Sequence, residues 1–168
     1  SDVSEILVSG ETAFNTARSY IKEMVPSQIK RVKNFKDTKN SIFQKYNVEK
    51  QLDSMYLPSV KLKSGGYIVI NQTEALVAID VNSGRSTKER NIEETALKTN
   101  LEAAEEVARQ LKLRDLSGLI VIDFIDMEGY KNQHSVEKKL KEAMSSDRAR
   151  IQIGRISHFG LLELSRQR

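Results

Sequence analysis

The sequence has no cysteine, only two prolines, and no apolar run near the roughly 18 residues that a membrane-spanning helix needs. The absence of cysteine excludes disulfides and thiolate zinc sites, and it agrees with an expected location in the reducing cytoplasm. No basic segment followed by an apolar stretch opens the chain, so we expect no secretory leader. The 168 residues suffice for one ordinary domain or two small lobes.

Two common catalytic motifs are also missing. The sequence lacks G-x-x-x-x-G-K-[ST], which argues against a P-loop nucleotidase, and it lacks the G-x-S-x-G of a nucleophile elbow. Its two histidines, His134 and His158, have no partner at the spacing of metal ligands on a helix. We expect both to be surface or interface residues rather than catalysts.

The charge balance is basic, with a net charge of +4 and an isoelectric point near 9.2. This mildly favours a polyanionic partner. Basic residues outnumber acidic ones between Lys30 and Lys50, and Phe35, Phe43 and Tyr46 lie among them. The segment is either a nucleic-acid-binding face or a solvated helical pair with its aromatic side chains in the core. For the aromatic residues we favour the core.

The first third of the chain predicts a strand followed by helices. Residues 5–8 have strand character, residues 11–25 have apolar side chains at helical spacing, and Pro26 ends that helix. A second helix is expected from Ser27, which is an acceptable N-cap. The pattern changes from helical to strand-like near Leu57, which predicts a boundary between residues 1–57 and 58–168.

The second part predicts an α/β fold. Residues 60–62, 67–71 and 75–81 form a plausible antiparallel meander, and the nearly all-apolar third strand suggests burial on both faces. A long helix then starts at Asn91, with Glu94 completing a capping box and an apolar stripe from Leu97 to Leu111. The apolar strand LIVIDFI follows, so the two strands should be parallel with a right-handed connection. A further helix around Leu140 and strands near residues 151–153 and 160–164 complete the pattern.

The two apolar strands each end in an aspartate, Asp80 and Asp123. Ligands of open α/β sheets bind outside the carboxyl ends of the strands. Two carboxylates meeting there repel unless a cation lies between them, and oxygen ligands favour Mg²⁺ or Mn²⁺. Asn82 should share a face with Asp80, whereas Asp126 should face away on a continuing strand. The alternative is that both aspartates only cap the loops that follow them.

Long stretches of the chain resemble the ribonuclease E/G family. The stretch SGGYIVINQTEALVAIDVNSGRSTKERNIEETALKTNLEAAEEVARQLKLRDLSGLIVIDFIDM is similar to the family's central catalytic segment. The tail DRARIQIGRISHFGLLELSRQR and the basic stretch IKRVKNF…IFQKYNVEKQLDSMYLPSVKL are similar to the segments that flank it. The resemblance covers nearly the whole chain.

The resemblance implies a fold and an activity. Residues 1–57 would be part of a ribonuclease-H-like subdomain, and residues 58–168 a deoxyribonuclease-I-like catalytic subdomain. Asp80 and Asp123 match the family's magnesium-binding aspartates, and Asn82 matches its nearby asparagine. The family cuts single-stranded, often A/U-rich RNA, leaves 5′-phosphate and 3′-hydroxyl ends, and commonly prefers a 5′-monophosphate. Paired cysteines tie its members into larger assemblies, which implies a homo-oligomer, either a dimer or a tetramer, for the intact enzyme.

This chain departs from the family pattern in what it lacks. The family's OB-fold RNA-binding domain and 5′-end sensor have no counterpart here, and the paired cysteines would follow Arg168, so we expect an excised fragment. Arg85 and Arg150 would contact backbone phosphates, a role that guanidinium geometry suits, or simply add surface charge.

Two other functions stay open. In the first, the fragment is a catalytically idle module for dimerisation or for docking partners. In the second, it is a metal-dependent deoxyribonuclease or phosphatase, because a fold does not fix the substrate.

Overall fold

A computed structural model describes residues 3–84 and 92–167. Its strands and helices follow in the order β1 (Ile6–Ser9), α1 (Glu11–Met24), a 3₁₀ helix (Pro26–Arg31), β2 (Val32–Phe35), α2 (Ile42–Lys45), α3 (Val48–Ser54), β3 (Ser59–Lys61), β4 (Tyr67–Gln72), β5 (Val77–Asn82), α4 (Ile92–Leu113), β6 (Gly118–Asp123), α5 (Tyr130–Met144), β7 (Arg150–Ile156) and β8 (Leu161–Gln167). The chain divides into two compact units, residues 1–54 and 55–168. None of the helices in the described ranges combines the length and the apolar character needed to cross a bilayer.

The first unit contains a parallel pair of short strands, β1 and β2. The predicted strand and the helix before Pro26 are confirmed, but the helix predicted from Ser27 is wrong. Pro26 starts a single 3₁₀ segment instead, and the chain then enters β2, which pairs with β1. The long-range pairing of Ile6 with Val32 therefore prevails over the local helical pattern.

The aromatic residues of this unit are more exposed than predicted. Phe43 is 58% exposed and Tyr46 is 50% exposed, so their assignment to a core is wrong. They lie at α2, a single turn that starts with a capping box between Ser41 and Gln44. A single helical turn is too short to present a continuous apolar face to the rest of the unit, so these rings stay at the surface. Phe35 is half-buried, and the Lys45 ammonium lies 5.3 Å from the centre of its ring.

The second unit is built on a mixed sheet of strand order β3-β4-β5-β6-β8-β7 among the described residues. The predicted antiparallel meander of β3, β4 and β5 is confirmed, and so is the parallel pairing of β5 with β6 across α4. The helix α5 and the strands β7 and β8 also occur where the sequence predicts them. The α/β character of this unit is therefore confirmed.

The core of this unit lies between the sheet and the helices α4 and α5. Val77, Ile79 and Val81 of β5 are buried there, whereas Ala78 is only partly buried and Asp80 is exposed. Burial of β5 on both faces was predicted, and this is wrong because only alternate residues of the strand enter the core. The core is made of Leu62, Ile68, Ile70, Val77, Ile79, Val81, Ala96, Ala103, Ala104, Val107, Ala108, Leu111, Leu116, Ile120, Ile122, Phe124, Met127, Val136, Leu140, Met144, Leu162 and Leu164.

Candidate metal centre

The two candidate aspartates are direct neighbours across a parallel strand pair. The register of β5 and β6 pairs Val77 with Ile120 and ends with Asp80 beside Asp123. Alternate residues of both strands are buried on the face of the sheet that packs against the helices. The two aspartates are therefore exposed on the opposite face. Two carboxylates predicted from separate segments of the sequence therefore meet at one place.

Asn82 lies two residues beyond Asp80 on the same strand. Its Nδ2 donates a hydrogen bond of 2.8 Å to Oδ2 of Asp80. The backbone around it is tightly enclosed, because a Cβ on Gly66 would approach the carbonyl oxygen of Asn82 to 2.7 Å. Glycine is thus required at position 66, and the end of β5 is held in place by the turn before β4.

Asp126 lies close to Asp123, contrary to the prediction that it faces away. We call the three aspartates Asp80, Asp123 and Asp126 the acidic group. The prediction assumed that the strand continues, but β6 ends at Asp123 and residues 124–129 form an irregular loop. The pKa of the Asp123 carboxyl is raised above its ordinary value by partial burial, then by the negative charges of Asp80 and Asp126. One sequence feature could have indicated Asp126: it is a second acidic residue at the end of the apolar segment LIVIDFI. The alternation of apolar residues did not show where the strand in this segment ends.

The turn between β7 and β8 also reaches the acidic group. The amide of Phe124 donates to the carbonyl oxygen of Gly160 at 3.2 Å. A Cβ on Gly160 would lie 3.2 Å from Oδ1 of Asp126 and 4.0 Å from Oδ1 of Asp123. Since Gly160 also has a φ of +78°, this position favours glycine for both conformation and space. Local sequence patterns do not indicate this contact, because Gly160 is distant from Asp123 along the chain.

A buried amide on α4 holds the loop that follows Asp123. Asn100 donates from Nδ2 to the carbonyl oxygen of Ile125 at 2.8 Å and accepts from its amide at 3.0 Å. The side chain is fully buried on a face of α4 that also buries the apolar Ala96, Ala103 and Ala104. A lone asparagine in such a stripe was the available sequence signal, and the stripe prediction overlooked it.

Glu93, near the start of α4, fixes the next part of this loop. Its carboxylate accepts from the backbone amides of Glu128 and Gly129 at 3.0 and 3.1 Å. It also accepts from Nδ2 of Asn132. These hydrogen bonds, the one from Asn132 first, hold the pKa of Glu93 below its ordinary value. Both ends of the loop behind Asp123 are therefore attached to α4.

Of the two candidate phosphate-binding arginines, the structure describes only Arg150, which lies away from this cluster. Arg85 lies outside the described residues. Arg150 starts β7 opposite Gln167, whereas Asp123 lies opposite Leu161 at the other end of β8. Six residues of strand separate these two positions, which is roughly 20 Å. His134 and His158 are exposed, as predicted.

The donors at this site fit a hard divalent cation. Carboxylate oxygens are the ligands that Mg²⁺ and Mn²⁺ prefer, and a cation would relieve the repulsion that raises the pKa of Asp123. No group of three histidine, cysteine, aspartate or glutamate side chains is arranged as metal ligands in residues 3–84 and 92–167. The protein would thus supply Asp80 and Asp123, and water or substrate oxygens would complete the coordination, as is usual for Mg²⁺.

Comparison with known proteins gives the family of the chain. The Ribonuclease E/G family profile matches residues 1–168. The chain belongs to the ribonuclease E/G family. It is 54% identical to ribonuclease E of Haemophilus influenzae over 167 residues, or 99% of this chain and 18% of that protein. Ribonuclease E of Escherichia coli is 52% identical over 168 residues, with 99% of this chain and 16% of that protein covered.

Similarity extends to the G-type branch of the family. Ribonuclease G of Escherichia coli is 34% identical over 167 residues, which is 99% of this chain and 34% of that protein. The chain therefore spans about a sixth to a third of the length of these ribonuclease E/G family members. The acidic group lies within the segment that all three share.

Proposed function

We propose that this chain carries the metal-dependent catalytic site of an endoribonuclease that hydrolyses single-stranded RNA, leaving 5′-phosphate and 3′-hydroxyl ends. The pairing of Asp80 with Asp123 at one end of two parallel strands carries the proposal. Membership of the ribonuclease E/G family supports RNA as the substrate. RNA processing and mRNA decay are the processes that such cleavage serves.

Each residue of the site has a proposed role. Asp80 and Asp123 hold Mg²⁺, for which Mn²⁺ is a substitute. When bound, the metal supplies the positive charge that neutralises the scissile phosphate and the acidity that makes water a nucleophile. Asn82 orients Asp80 through one N–H group, and its second N–H group is available to a phosphate oxygen. Asp126 adds negative charge that favours retention of the cation.

The arginines have a different place in this proposal. Arg150 is too far from Asp123 to touch the scissile phosphate, so its proposed contacts are with backbone phosphates further along the RNA. Arg85 follows Asn82 by three residues in the chain, and we propose a phosphate contact for it as well. A guanidinium group binds phosphate through two parallel hydrogen bonds, which suits this role.

The decisive experiment is Mg²⁺-dependent cutting of a labelled, A/U-rich, 5′-monophosphorylated RNA by the chain and by Asp80→Asn and Asp123→Asn. We expect each variant to lose at least about 100-fold in rate, because one of the two metal ligands loses its charge. Mn²⁺ binding, measured by electron paramagnetic resonance, should weaken in parallel. Glu74→Gln removes an exposed carboxylate from the β4–β5 turn and is the matched control. It should cut at the rate of the unaltered chain.

Three outcomes would contradict the proposal. Undiminished cutting by clean preparations of both aspartate variants would exclude the assigned metal site. Equal or faster cutting of single-stranded DNA or of a simple phosphomonoester would exclude RNA as the preferred substrate. A folded chain that binds Mn²⁺ without cutting any of the three would leave a metal site without catalytic activity in these residues.

A further inference from the structure

The turn between β7 and β8 exposes a phenylalanine beside the acidic group. Ser157 and Leu161 are joined by a 2.8 Å backbone hydrogen bond, and the amide of Gly160 donates to the carbonyl oxygen of Ser157 at 3.1 Å. The amide of Phe159 also donates to Oγ of Ser157 at 3.3 Å. Phe159 at the tip of this turn is 81% exposed.

Backbone contacts place the Cα of Phe159 close to the aspartates. Gly160, the next residue, accepts from the amide of Phe124, which directly follows Asp123. The space at the Cα of Gly160 is bounded by the Asp126 and Asp123 carboxylates. Because consecutive Cα atoms lie about 3.8 Å apart, the backbone of Phe159 is within about 10 Å of the Asp123 carboxylate. The turn is thus attached to the strand end that carries the candidate metal ligand.

An aromatic ring in this position has a use that suits a nuclease of unpaired RNA. Single exposed apolar residues are common on protein surfaces, so exposure alone decides nothing. Here, however, the exposed ring lies on a hydrogen-bonded turn that adjoins two carboxylates. The bases of single-stranded nucleic acids stack on aromatic side chains with little preference for sequence, because every base presents a π face. Phenylalanine has no hydrogen-bonding group and would accept any base.

We propose that Phe159 is a substrate-binding residue that stacks on an RNA base adjacent to the scissile phosphate at the Asp80–Asp123 metal site. The inference rests on the proposed function, since it takes that phosphate as its reference point. It adds a contact that requires an unpaired base near the cut. A base that is paired in a duplex already stacks on its neighbours and would have to leave the helix to reach the ring.

The sequence allows a direct test because it contains no tryptophan. Phe159→Trp therefore introduces a single tryptophan at the proposed stacking position. Tyr56→Trp is the matched control, since Tyr56 is 88% exposed but lies near Gln72 and Leu116, at the opposite end of β5 and β6. Both variants are titrated at low salt and in EDTA with a short A/U-rich, 5′-monophosphorylated RNA. Anisotropy of a label on the RNA reports binding independently.

We expect the emission of the tryptophan at position 159 to be quenched in proportion to bound RNA, and the emission at position 56 to stay unchanged. Phe159→Ala should weaken RNA binding roughly tenfold, whereas Phe159→Tyr should keep it within about twofold, because only the tyrosine keeps an aromatic face. Circular dichroism should be the same for all variants, since both positions are exposed.

Three results would overturn the proposal. These are RNA binding without quenching at position 159, unchanged affinity of Phe159→Ala, and no RNA binding by the chain at all. The measurement needs neither metal nor cleavage. Its failure is therefore distinguishable from failure of the proposed function, which the cutting assay on the Asp80 and Asp123 variants tests.

Discussion

At the scale of single residues, a buried arginine joins three parts of the second unit. Arg166 of β8 donates from Nε to Oδ2 of Asp147 at 2.8 Å. Its Nη1 donates to the carbonyl oxygen of Leu116 at 3.0 Å and to Oδ1 of Asp115 at 3.2 Å. The side chains of Arg166 and Asp147 are both almost fully buried. Loss of one partner would thus leave a charge in a poorly solvated place.

This pair predicts a pH dependence of stability. The hydrogen bond from Arg166 holds the pKa of Asp147 below its ordinary value, so the contribution is fully present above about pH 4 and is lost as the pH falls through the lower, folded pKa. We expect Asp147→Asn to lower the free energy of unfolding by about 3 kcal/mol at pH 7. The difference from the unaltered chain should shrink at pH 3. Urea unfolding followed by circular dichroism at pH 7, 5 and 3 measures it.

Glu142→Gln is the control for this prediction. The Glu142 side chain is mostly exposed and lies 3.7 Å from Lys138 on α5. Exposed ion pairs contribute little, so this variant should change stability by less than about 0.5 kcal/mol at each pH. If Asp147→Asn lowers the free energy of unfolding by the same amount at pH 3 and pH 7, the contribution of the buried pair to stability does not depend on ionisation of Asp147.

At the scale of elements, α4 both connects β5 to β6 and holds the loop behind Asp123. The amide of Asn100 pairs with both backbone groups of Ile125, and these groups have few alternatives in a buried place. Asn100 therefore couples the packing of α4 to the position of residues 124–126. This coupling depends on a polar side chain within the apolar stripe of the helix.

We predict that Asn100→Leu lowers the free energy of unfolding by about 3 kcal/mol, because it leaves two partly buried backbone groups of Ile125 unpaired. Mn²⁺ binding should weaken as well, since Asp123 and Asp126 flank the released loop. Thr99→Val is the matched control one position earlier on the helix. The Thr99 hydroxyl is buried and has no hydrogen-bond partner among the described residues, so its removal should be neutral or slightly stabilising. Unchanged Mn²⁺ affinity in Asn100→Leu would restrict this residue to a role in stability.

The elements also show where sequence patterns were sufficient. The alternation and turn residues of 59–82 predicted the meander, and the strand–helix–strand order predicted the parallel pair. The patterns failed at Ser27, where pairing of β2 with β1 replaced a helix, and at β5, where an apolar composition did not mean burial on both faces. An apolar composition shows that a strand can be buried, whereas the elements that pack against the strand determine which of its faces are buried.

At the scale of the whole molecule, the two units differ in their cores. The main hydrophobic cluster is formed by residues between Leu62 and Leu164. In residues 3–54, by contrast, Val32 is the only hydrophobic side chain that is buried. Burial of apolar surface is the main term that offsets conformational entropy on folding. The two units should therefore differ in their ability to fold alone.

We predict that residues 55–168 expressed alone unfold cooperatively, with a urea midpoint close to that of the second unit in the full chain. Residues 1–54 alone should lack a cooperative transition, because they bury too little apolar surface. Circular dichroism and the dispersion of amide signals in nuclear magnetic resonance measure both. A shorter chain from Met55 with collapsed dispersion would show that residues 1–54 supply contacts that the second unit needs.

The sequence by itself determined the family and the α/β pattern of the second unit, and it predicted that Asp80, Asn82 and Asp123 lie at one strand end, because these depend on local alternation and on long matching stretches. Only the tertiary structure decided which other residues join them. Asp126, Gly160 and Phe159 approach the site because β6 ends at Asp123 and because β8 pairs with β6, bringing a turn from a distant part of the sequence to that strand end. Arg150 is separated from the site because the pairing of β7 with β8 puts it opposite Gln167, at the far end of β8. Strand order and strand ends are set by long-range contacts, which local sequence patterns do not contain.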